Sequence, residues 1–259
     1  MPLPDEEGTP AAWDEKVSCM DRTGQVVLIT GAGRGIGRAI AVTLAGRKMR
    51  CCLTAKTPDG VGETARLVRE AGVEAHIILA DLADPAAPER IVAETVGHFG
   101  RLDVLVNNAG LLLVKPFAET TMAEFDELMA VNLRAPFALT KAALPHLERS
   151  AGVIINLGSA AGKRFYPGQS LYCATKHALH GWSRVLAAEL RAKGIRVHAI
   201  CPGGVATEMN FKQRPDWNPE DLMSPGDIAA GVGFLLDLSP RATVDELPMR
   251  RVAADPIWG

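Results

Sequence analysis

The sequence predicts an α/β fold, a single domain built as a doubly wound parallel sheet in three αβα layers. From residue 25 onward, apolar runs of strand length alternate with segments of helix length, which is the pattern of βαβ units with parallel pairing. The run 26–29 is continuously apolar, as expected for a strand buried on both faces of a sheet. The length of 259 residues and the composition, 47% hydrophobic and 22% charged, suit one globular domain and exclude a disordered or fibrous chain.

The predicted elements follow one another without an internal repeat or a low-complexity tract. The predicted strands are 26–29, 50–55, 75–80, 103–106, 153–157 and 195–200, and the predicted helices are 35–46, 61–71, 88–99, 122–147 and 172–192. Pro136 and Pro145 are expected to interrupt or kink the fourth helix. Residues 208–225 contain three prolines and are predicted as a long loop or short helices. With right-handed crossovers, these elements predict a Rossmann-type domain over residues 23–259.

Residues 1–22 are predicted as an acidic, mobile tail that precedes this domain. The first fifteen residues hold five acidic side chains, three prolines and no Lys or Arg. They therefore lack the basic start of a secretory signal and the acid-poor composition of a mitochondrial transit peptide. The alternative interpretation is a docking segment, for which Trp13 is the candidate anchor.

Charge and cysteine usage exclude several classes of function. The formal net charge of −2 gives no basic excess, so neither nucleic acid nor a membrane surface is an expected partner. The longest apolar runs fall far short of a bilayer span, which needs about 20 residues. Five scattered cysteines, two of them adjacent, have no metal-ligand spacing and do not form a disulfide framework. We therefore expect a reducing, cytoplasmic location and no metal site.

A glycine-rich turn separates the first predicted strand from the first helix. It reads Thr30-Gly31-Ala32-Gly33-Arg34-Gly35-Ile36-Gly37. Its Gly-x-x-x-Gly-x-Gly spacing differs from the commonest dinucleotide fingerprint, and glycine clusters also occur in ordinary tight turns. The position between strand and helix nevertheless favours nucleotide binding, because glycines let the backbone approach a pyrophosphate and the helix start favours negative charge.

The end of the second predicted strand bears on the choice of cofactor. A carboxylate there would bind the ribose hydroxyls of NAD(H) and repel a 2′-phosphate, but the sequence has Thr54-Ala55-Lys56-Thr57, with no acid before Asp59. Lys56 and Arg34 are both suited to a phosphate. These residues favour NADP(H), with NAD(H) as the alternative; in the other interpretation both cations are ordinary solvated charges.

Tyr172 and Lys176 stand four residues apart at the start of a predicted helix and so share one face. An adjacent ammonium is expected to lower the pKa of a phenol from its ordinary value near ~10, which would make it a proton carrier. The alternative is a core tyrosine beside a solvated lysine. Ser159 and Asn108 follow predicted strands at the carboxyl edge of the sheet, where ligands bind, and Asn132 lies in the long helix. Taken singly, each of these three is more typical of a cap or turn.

Together these motifs resemble the classical short-chain dehydrogenase/reductase family. The matching segments are Thr30-Gly31-x-x-x-Gly35-x-Gly37, Asp81-Leu82, Asn107-Asn108-Ala109-Gly110, Asn132, Ser159, Tyr172-x-x-x-Lys176 and Pro202-Gly203 with Thr207. They cover about residues 24–207 in the family's order, and the serine precedes the tyrosine by the family's usual 172 − 159 = 13 residues.

The resemblance implies hydride transfer between a nicotinamide and a ketone, an aldehyde or an alcohol. It implies that Tyr172 is the general acid or base, that Ser159 polarises the substrate oxygen, that Lys176 lowers the Tyr172 pKa and binds the nicotinamide ribose, and that Asn132 orders a relay water. It also implies cofactor contacts at Asp81, Leu82, Asn108, Ala109, Gly110, Pro202, Gly203, Val205 and Thr207, and assembly as a homodimer or homotetramer. The alternative is a cofactor-binding regulatory protein without turnover.

Two parts of the chain extend or depart from this pattern. The segment 208–225 occupies the position of the family's substrate lid, and its Met209, Phe211, Trp217 and Met223 are expected to close over an apolar group. The family's Asp-Gly-Gly near the last strand is replaced by residues 244–250, Val-Asp-Glu-Leu-Pro-Met-Arg, which puts the usual carboxy-terminal packing in doubt. Lys163 and Arg164, just beyond Ser159, are predicted to be solvated, with attraction of an anionic tail of the substrate as the alternative.

Overall fold

Seven parallel strands form one sheet in the computed structural model, which describes residues 20–252 and residue 254. The strands are β1 Val26–Ile29, β2 Arg50–Ala55, β3 Ala75–Leu79, β4 Val104–Asn107, β5 Val153–Leu157, β6 Arg196–Pro202 and β7 Glu246–Met249. Their order is β3-β2-β1-β4-β5-β6-β7. The order reverses between β1 and β4, and such a switch point opens a crevice at the carboxyl ends of the strands.

Within the residues described, eight α-helices connect and cover these strands. They are α1 Gly35–Gly46, α2 Val61–Glu70, α3 Ala87–Phe99, α4 Met122–Met129, α5 Ala135–Ser150, α6 Ser170–Leu190, α7 Glu208–Gln213 and α8 Pro225–Asp237. No helix within the described part of the chain is long and apolar enough to cross a bilayer. The predicted three-layer Rossmann-type fold is confirmed.

Strand β1 shows how the alternation of side chains creates two cores. All four of its side chains are fully buried, because successive residues point to opposite faces. Val27 and Ile29 join a cluster with α1, α2 and α8, whereas Val26 and Leu28 join a second cluster with α3, α5 and α6. The continuous apolar run in the sequence thus reflects burial on both faces of a central strand.

The long helix predicted over 122–147 is present, but in three parts. Between α4 and α5 the chain makes one π-helical turn, Ala130–Arg134. Pro136 falls in the first turn of α5, where the missing N–H of proline is tolerated, and Pro145 lies inside α5. Asn132 is therefore on a π turn, a feature often found at functional sites.

The carboxy-terminal third holds elements that the sequence analysis did not identify. Helix α8 begins with a capping box between Ser224 and Asp227 and has Pro225 at its start, a local signal that would have predicted it. Strand β7 pairs with β6, with Ala199 opposite Glu246, although the Asp-Gly-Gly is absent.

The predicted tail lies largely outside the described residues, which begin at residue 20. Arg22, which the sequence assigned to the tail, is buried and donates from Nη2 to the Leu236 carbonyl at 2.5 Å. The packed part of the chain therefore begins at or before Arg22.

Candidate active site

A cavity of about 510 Å³ lies at the switch point, over the carboxyl ends of β1, β2 and β4. The predicted site residues on its walls are Gly31, Gly33, Arg34, Gly35, Ile36, Gly37, Lys56, Asp81, Leu82, Asn108, Ala109, Gly110, Tyr172, Lys176, Pro202 and Thr207. The walls also include Leu111, Glu127, Val131 and Glu208, which no local motif in the sequence identified.

Four predicted residues lie behind the walls. Ser159 and Asn132 reach the site through hydrogen bonds described below. Gly203 donates its N–H to the Met249 carbonyl at 2.8 Å, and Val205 is buried in the core. These last two hold the chain that enters the lid and do not line the cavity; the cofactor contacts expected at both stay a prediction.

The glycine-rich turn is tightly held against the start of α1. A Cβ on Gly37 would lie 2.3 Å from the Gly31 carbonyl oxygen, a distance that no side chain tolerates, and Gly31 itself has φ +64°. The Asn108 side chain donates to the Thr30 and Gly31 carbonyls at 2.7 and 3.1 Å. The turn and the end of β4 therefore form one rigid cradle whose backbone lies open to a ligand.

Arg38 supports the other side of this cradle and was not predicted. Its guanidinium donates to the Gly33 carbonyl at 2.6 Å and to the Gly60 carbonyl at 3.2 Å. It therefore ties the glycine-rich turn to the start of α2.

The two cations predicted to bind a 2′-phosphate are exposed, and each is paired with a carboxylate. Lys56 Nζ lies 2.8 Å from Asp81 Oδ2, a hydrogen-bonded ion pair that raises the pKa of Lys56 and lowers the pKa of Asp81. Arg34 pairs with Glu208 at the start of α7. The glycine-rich turn is thus linked to the lid across the cavity.

Tyr172, Ser159 and Lys176 converge at the opposite end of the cavity. Tyr172 is half-buried, and its phenol shares a hydrogen bond with the Ser159 side chain. Lys176 is only 4% exposed and donates from Nζ to the Leu157 carbonyl at 2.8 Å. The same ammonium lies 5.8 Å from the centroid of the Tyr172 ring. The Ser159 hydroxyl, the Tyr172 phenol and the Lys176 ammonium therefore lie close together at this end of the cavity.

Burial dominates the ionisation of this group. Loss of solvent raises the pKa of Tyr172, and the Ser159 hydrogen bond offsets only part of that rise. Loss of solvent also lowers the pKa of Lys176 to about 8. Desolvation disfavours the phenolate, so the pKa of Tyr172 lies above its ordinary value. The lowering expected from Lys176, whose ammonium donates to a main-chain carbonyl, stays a prediction.

Asn132 is buried and its side chain is fully engaged with protein groups. Its Oδ1 accepts from the Leu111 N–H at 2.7 Å, while its Nδ2 donates to the Leu111 carbonyl at 2.9 Å and to Thr175 Oγ1 at 3.1 Å. The expectation that Asn132 orders a relay water stays a prediction, and its side chain has a structural role besides. It clamps the loop after β4 to helix α6, one residue before Lys176.

The lid segment 208–225 contains α7 and a single 3₁₀ turn, Pro219–Asp221. Thr207 caps α7 by accepting from the Asn210 N–H at 3.4 Å, and Met209 lines the cavity. Trp217 lies between the guanidinium groups of Arg214 and Arg251, 5.1 and 5.4 Å from its ring. It anchors the lid and does not line the cavity.

The charged residues beyond Ser159 are not both simple surface charges. Lys163 has a side chain only 9% exposed and forms an ion pair with Glu246, so the prediction that it is solvated is wrong. Cys51, Cys52 and Cys173 are buried. Within the described residues, no three metal-ligating side chains come together.

Sequence comparisons identify relatives of this chain. The family model described as short chain dehydrogenase matches residues 25–218. The chain is 41% identical over 206 residues to an uncharacterized oxidoreductase of Thermotoga maritima, covering 79% of this chain and 81% of that protein. It is 37% identical over 234 residues to levodione reductase of Leifsonia aquatica, covering 83% and 88% of the two chains.

Solved structures with the same fold have been described with both forms of the cofactor. An alcohol dehydrogenase of Thermococcus sibiricus complexed with 5-hydroxy-NADP has a TM-score of 0.83 and 33% identity, covering 90% of this chain and 98% of that one. A carveol dehydrogenase of Mycobacterium avium in complex with NAD has a TM-score of 0.82 and 29% identity, covering 89% and 97%.

Proposed function

The chain belongs to the short-chain dehydrogenase family of NAD(P)-dependent oxidoreductases, and on that premise we propose that it is an NADP(H)-dependent enzyme that interconverts a ketone or aldehyde and an alcohol. The observation that carries the proposal is the convergence of the Tyr172 phenol, the Ser159 hydroxyl and the Lys176 ammonium at one end of a cavity whose other end is a glycine cradle.

The residues present fit a dinucleotide. The cradle has no room for side chains at Gly31 and Gly37, so its backbone N–H groups and the start of α1 are left to a pyrophosphate. Asp81 and Leu82 would hold the adenine, and Lys176 the nicotinamide ribose. When bound, the nicotinamide supplies or accepts a hydride.

Selectivity for the phosphorylated form would come from Lys56 and Arg34. No carboxylate occupies the end of β2, where Thr54, Ala55 and Lys56 face the cavity. Both cations are already matched to carboxylate partners, so a 2′-phosphate would exchange with Asp81 and Glu208. NAD(H) is the alternative cofactor, and relatives complexed with each form are known.

In the reductive direction, Tyr172 would give its phenolic proton to the carbonyl oxygen of the substrate. Ser159 donates a hydrogen bond to the same oxygen and holds it beside the phenol. The raised pKa of Tyr172 keeps the proton on the phenol at neutral pH, as a general acid requires. Lys176, with a pKa of about 8, is charged at neutral pH and stabilises the phenolate that remains.

The wall next to these groups favours an apolar substrate. Leu111, Val131, Leu157 and Met209 line the cavity, and the first three belong to separate elements that hydrogen bonds fix in place. The proposed partner is therefore a small carbonyl or alcohol compound with an apolar body. Phe137, Val185 and Phe234 are about half exposed on α5, α6 and α8, which supports assembly as a homodimer or homotetramer. The cysteine usage supports a cytoplasmic location.

A panel of ketones and aldehydes, each supplied with NADPH and with NADH, tests this function through the loss of nicotinamide absorbance. We expect turnover of an apolar carbonyl with NADPH preferred. Failure of the whole panel, with alcohols and both oxidised cofactors also inactive, would favour the cofactor-binding regulatory protein.

A further inference from the structure

A buried charge cluster lies one to two turns beyond Lys176 along α6, centred on Glu246 of β7. His180 Nε2 lies 2.7 Å from Glu246 Oε1, Lys163 pairs with Oε2, and Arg184 Nε lies 3.4 Å from Oε1. The side chains of Lys163, His180 and Glu246 are 9%, 10% and 19% exposed. A carboxylate this buried is tolerated only with close charged or hydrogen-bonding partners. Its two buried partners, Lys163 and His180, are each connected to Ser159.

The first connection runs through His180 and Cys201. Because the Glu246 carboxylate is an acceptor, it places the imidazole proton on Nε2 and leaves Nδ1 as an acceptor. Cys201 Sγ lies 3.6 Å from that Nδ1. The thiol is fully buried, and burial raises its pKa to about 11, so it remains a protonated donor to His180. Its sulfur in turn lies beside the backbone N–H of Ser159, which offsets part of the rise in the thiol pKa.

The second connection runs through Lys163. Ser159 caps the 3₁₀ turn Ala160–Gly162, its Oγ accepting the Ala161 N–H at 3.1 Å. Lys163 follows that turn directly and donates its N–H to the Ala160 carbonyl at 3.0 Å. Glu246 therefore contacts one end of the segment 158–163 directly, through Lys163, and is connected to the other end through His180 and Cys201.

The packing around this segment leaves little room for displacement. A Cβ on Gly158 would lie 3.0 Å from the Ile200 carbonyl oxygen and 3.2 Å from Cys201 Sγ, and one on Gly162 would lie 2.7 Å from the Lys176 carbonyl oxygen. The Lys176 ammonium also donates to Leu157, immediately before the segment. A shift of the segment would thus change the distance between the Ser159 hydroxyl and the phenol of Tyr172.

We propose that Glu246 is a positioning residue for Ser159, acting through Lys163 on one side and through His180 and Cys201 on the other. This inference rests on the proposed carbonyl chemistry at Ser159 and Tyr172. It gives a role to the segment that replaces the family's Asp-Gly-Gly, because Glu246 stands in that segment.

Glu246→Gln tests the proposal, since the amide keeps the shape but loses the charge and one acceptor oxygen. We expect kcat for carbonyl reduction to fall ~10-fold, by analogy with small displacements of reacting groups. The Kd for NADPH should stay within about 2-fold, because the cradle is remote from the cluster. The matched control is Asp245→Asn, the neighbouring exposed carboxylate, which should leave kcat unchanged.

Cys201 variants separate positioning from general stability. Cys201→Ala should lower kcat as Glu246→Gln does, and Cys201→Ser, which keeps a donor and an acceptor, should restore it. The double variant Glu246→Gln with Cys201→Ala should lose less than the product of the two single losses, because both act on one connection.

Three results would overturn the proposal: a Glu246→Gln kcat within about 2-fold of the native value, a loss of kcat matched by an equal loss of NADPH binding, or fully multiplicative losses in the double variant. Failure of the proposed function is distinguishable. In that case the native protein and Asp245→Asn would themselves turn over no carbonyl.

Discussion

The two ends of the cavity hold similar charges in opposite surroundings. At the cradle end, Lys56 is 65% exposed in its side chain and paired with Asp81, which raises its pKa. At the other end, where Tyr172 and Ser159 form the proposed catalytic site, Lys176 is buried and donates to a carbonyl. The loss of solvent lowers its pKa to about 8. The pair with Asp81 stabilises the charged form of Lys56, whereas burial destabilises the charged form of Lys176.

This difference indicates which end of the cavity would change its contacts when a cofactor binds. Exposed ion pairs contribute little to stability, so Asp81 and Glu208 can yield their partners to a cofactor phosphate with a small penalty. At the proposed catalytic end, hydrogen bonds of Asn132, Ser159 and Leu157 already hold the side chains in place. Leaving its polar groups unpaired would be costly. Predictions that separate the two ends follow, from the largest expected effect to the smallest.

Tyr172→Phe should remove most of the carbonyl reductase activity and leave NADPH binding unchanged. Removing the phenolic proton donor is expected to lower kcat by ~10²–10⁴-fold, while the NADPH affinity measured by fluorescence titration stays near the native value. The matched control is Tyr166→Phe, because the chain has only two tyrosines. Native turnover in Tyr172→Phe would contradict the assignment of the proton donor.

Lys176→Met should stabilise the cofactor-free protein at neutral pH while it removes activity. The folded-state pKa of Lys176 is about 8, against 10.5 ordinarily, so below pH 8 the full penalty for a buried charge is present. Between pH 8 and 10.5 the unfolded chain binds more protons, and the native protein regains stability as pH rises. We expect the variant to be more stable by about 1–3 kcal/mol at pH 7.

Urea unfolding across pH 7 to 10.5 measures that difference, which should shrink above pH 8. Lys141→Met, on the exposed side of α5, is the control. A difference that does not change with pH, or a variant less stable than the native protein, would show that Lys176 carries no burial penalty.

Lys56→Asp should reverse the cofactor preference without disturbing the catalytic end. A carboxylate at this position repels a 2′-phosphate and accepts hydrogen bonds from ribose hydroxyls. We expect the NADPH Kd to rise ~10-fold more than the NADH Kd, with Lys141→Asp as the control for net charge. Equal changes for both cofactors would rule out a role for Lys56 in selectivity.

Glu208→Gln gives the smallest expected effect and the opposite sign. Releasing Arg34 from its carboxylate partner should tighten NADPH binding by ~2–5-fold and NADH binding less. Isothermal titration with both cofactors measures this, and Glu220→Gln in the same lid is the control. Weaker NADPH binding in the Glu208 variant would show that the Arg34 pair supports the bound state.

Much of the candidate site could be predicted from local sequence. The glycine spacing, the Tyr172 and Lys176 pair and the residues at the strand ends all mark positions that the sheet then brings to one edge, because parallel strands align their carboxyl ends. The helix α8 was missed although its capping box was readable. Residues 203 and 205 lie behind the cavity wall, which their position in sequence does not show.

The sequence by itself determined the order of strands and helices, the burial of β1 on both faces and the glycine cradle, since these depend on the periodicity and conformational range of adjacent residues. Only the tertiary structure decided that Lys163 meets Glu246, that Asn132 clamps Leu111 to Thr175 and that Lys176 loses its solvent. Partners and burial depend on distances between residues far apart in the chain. No local pattern encodes those distances, and they set the charge and the position of each reacting group.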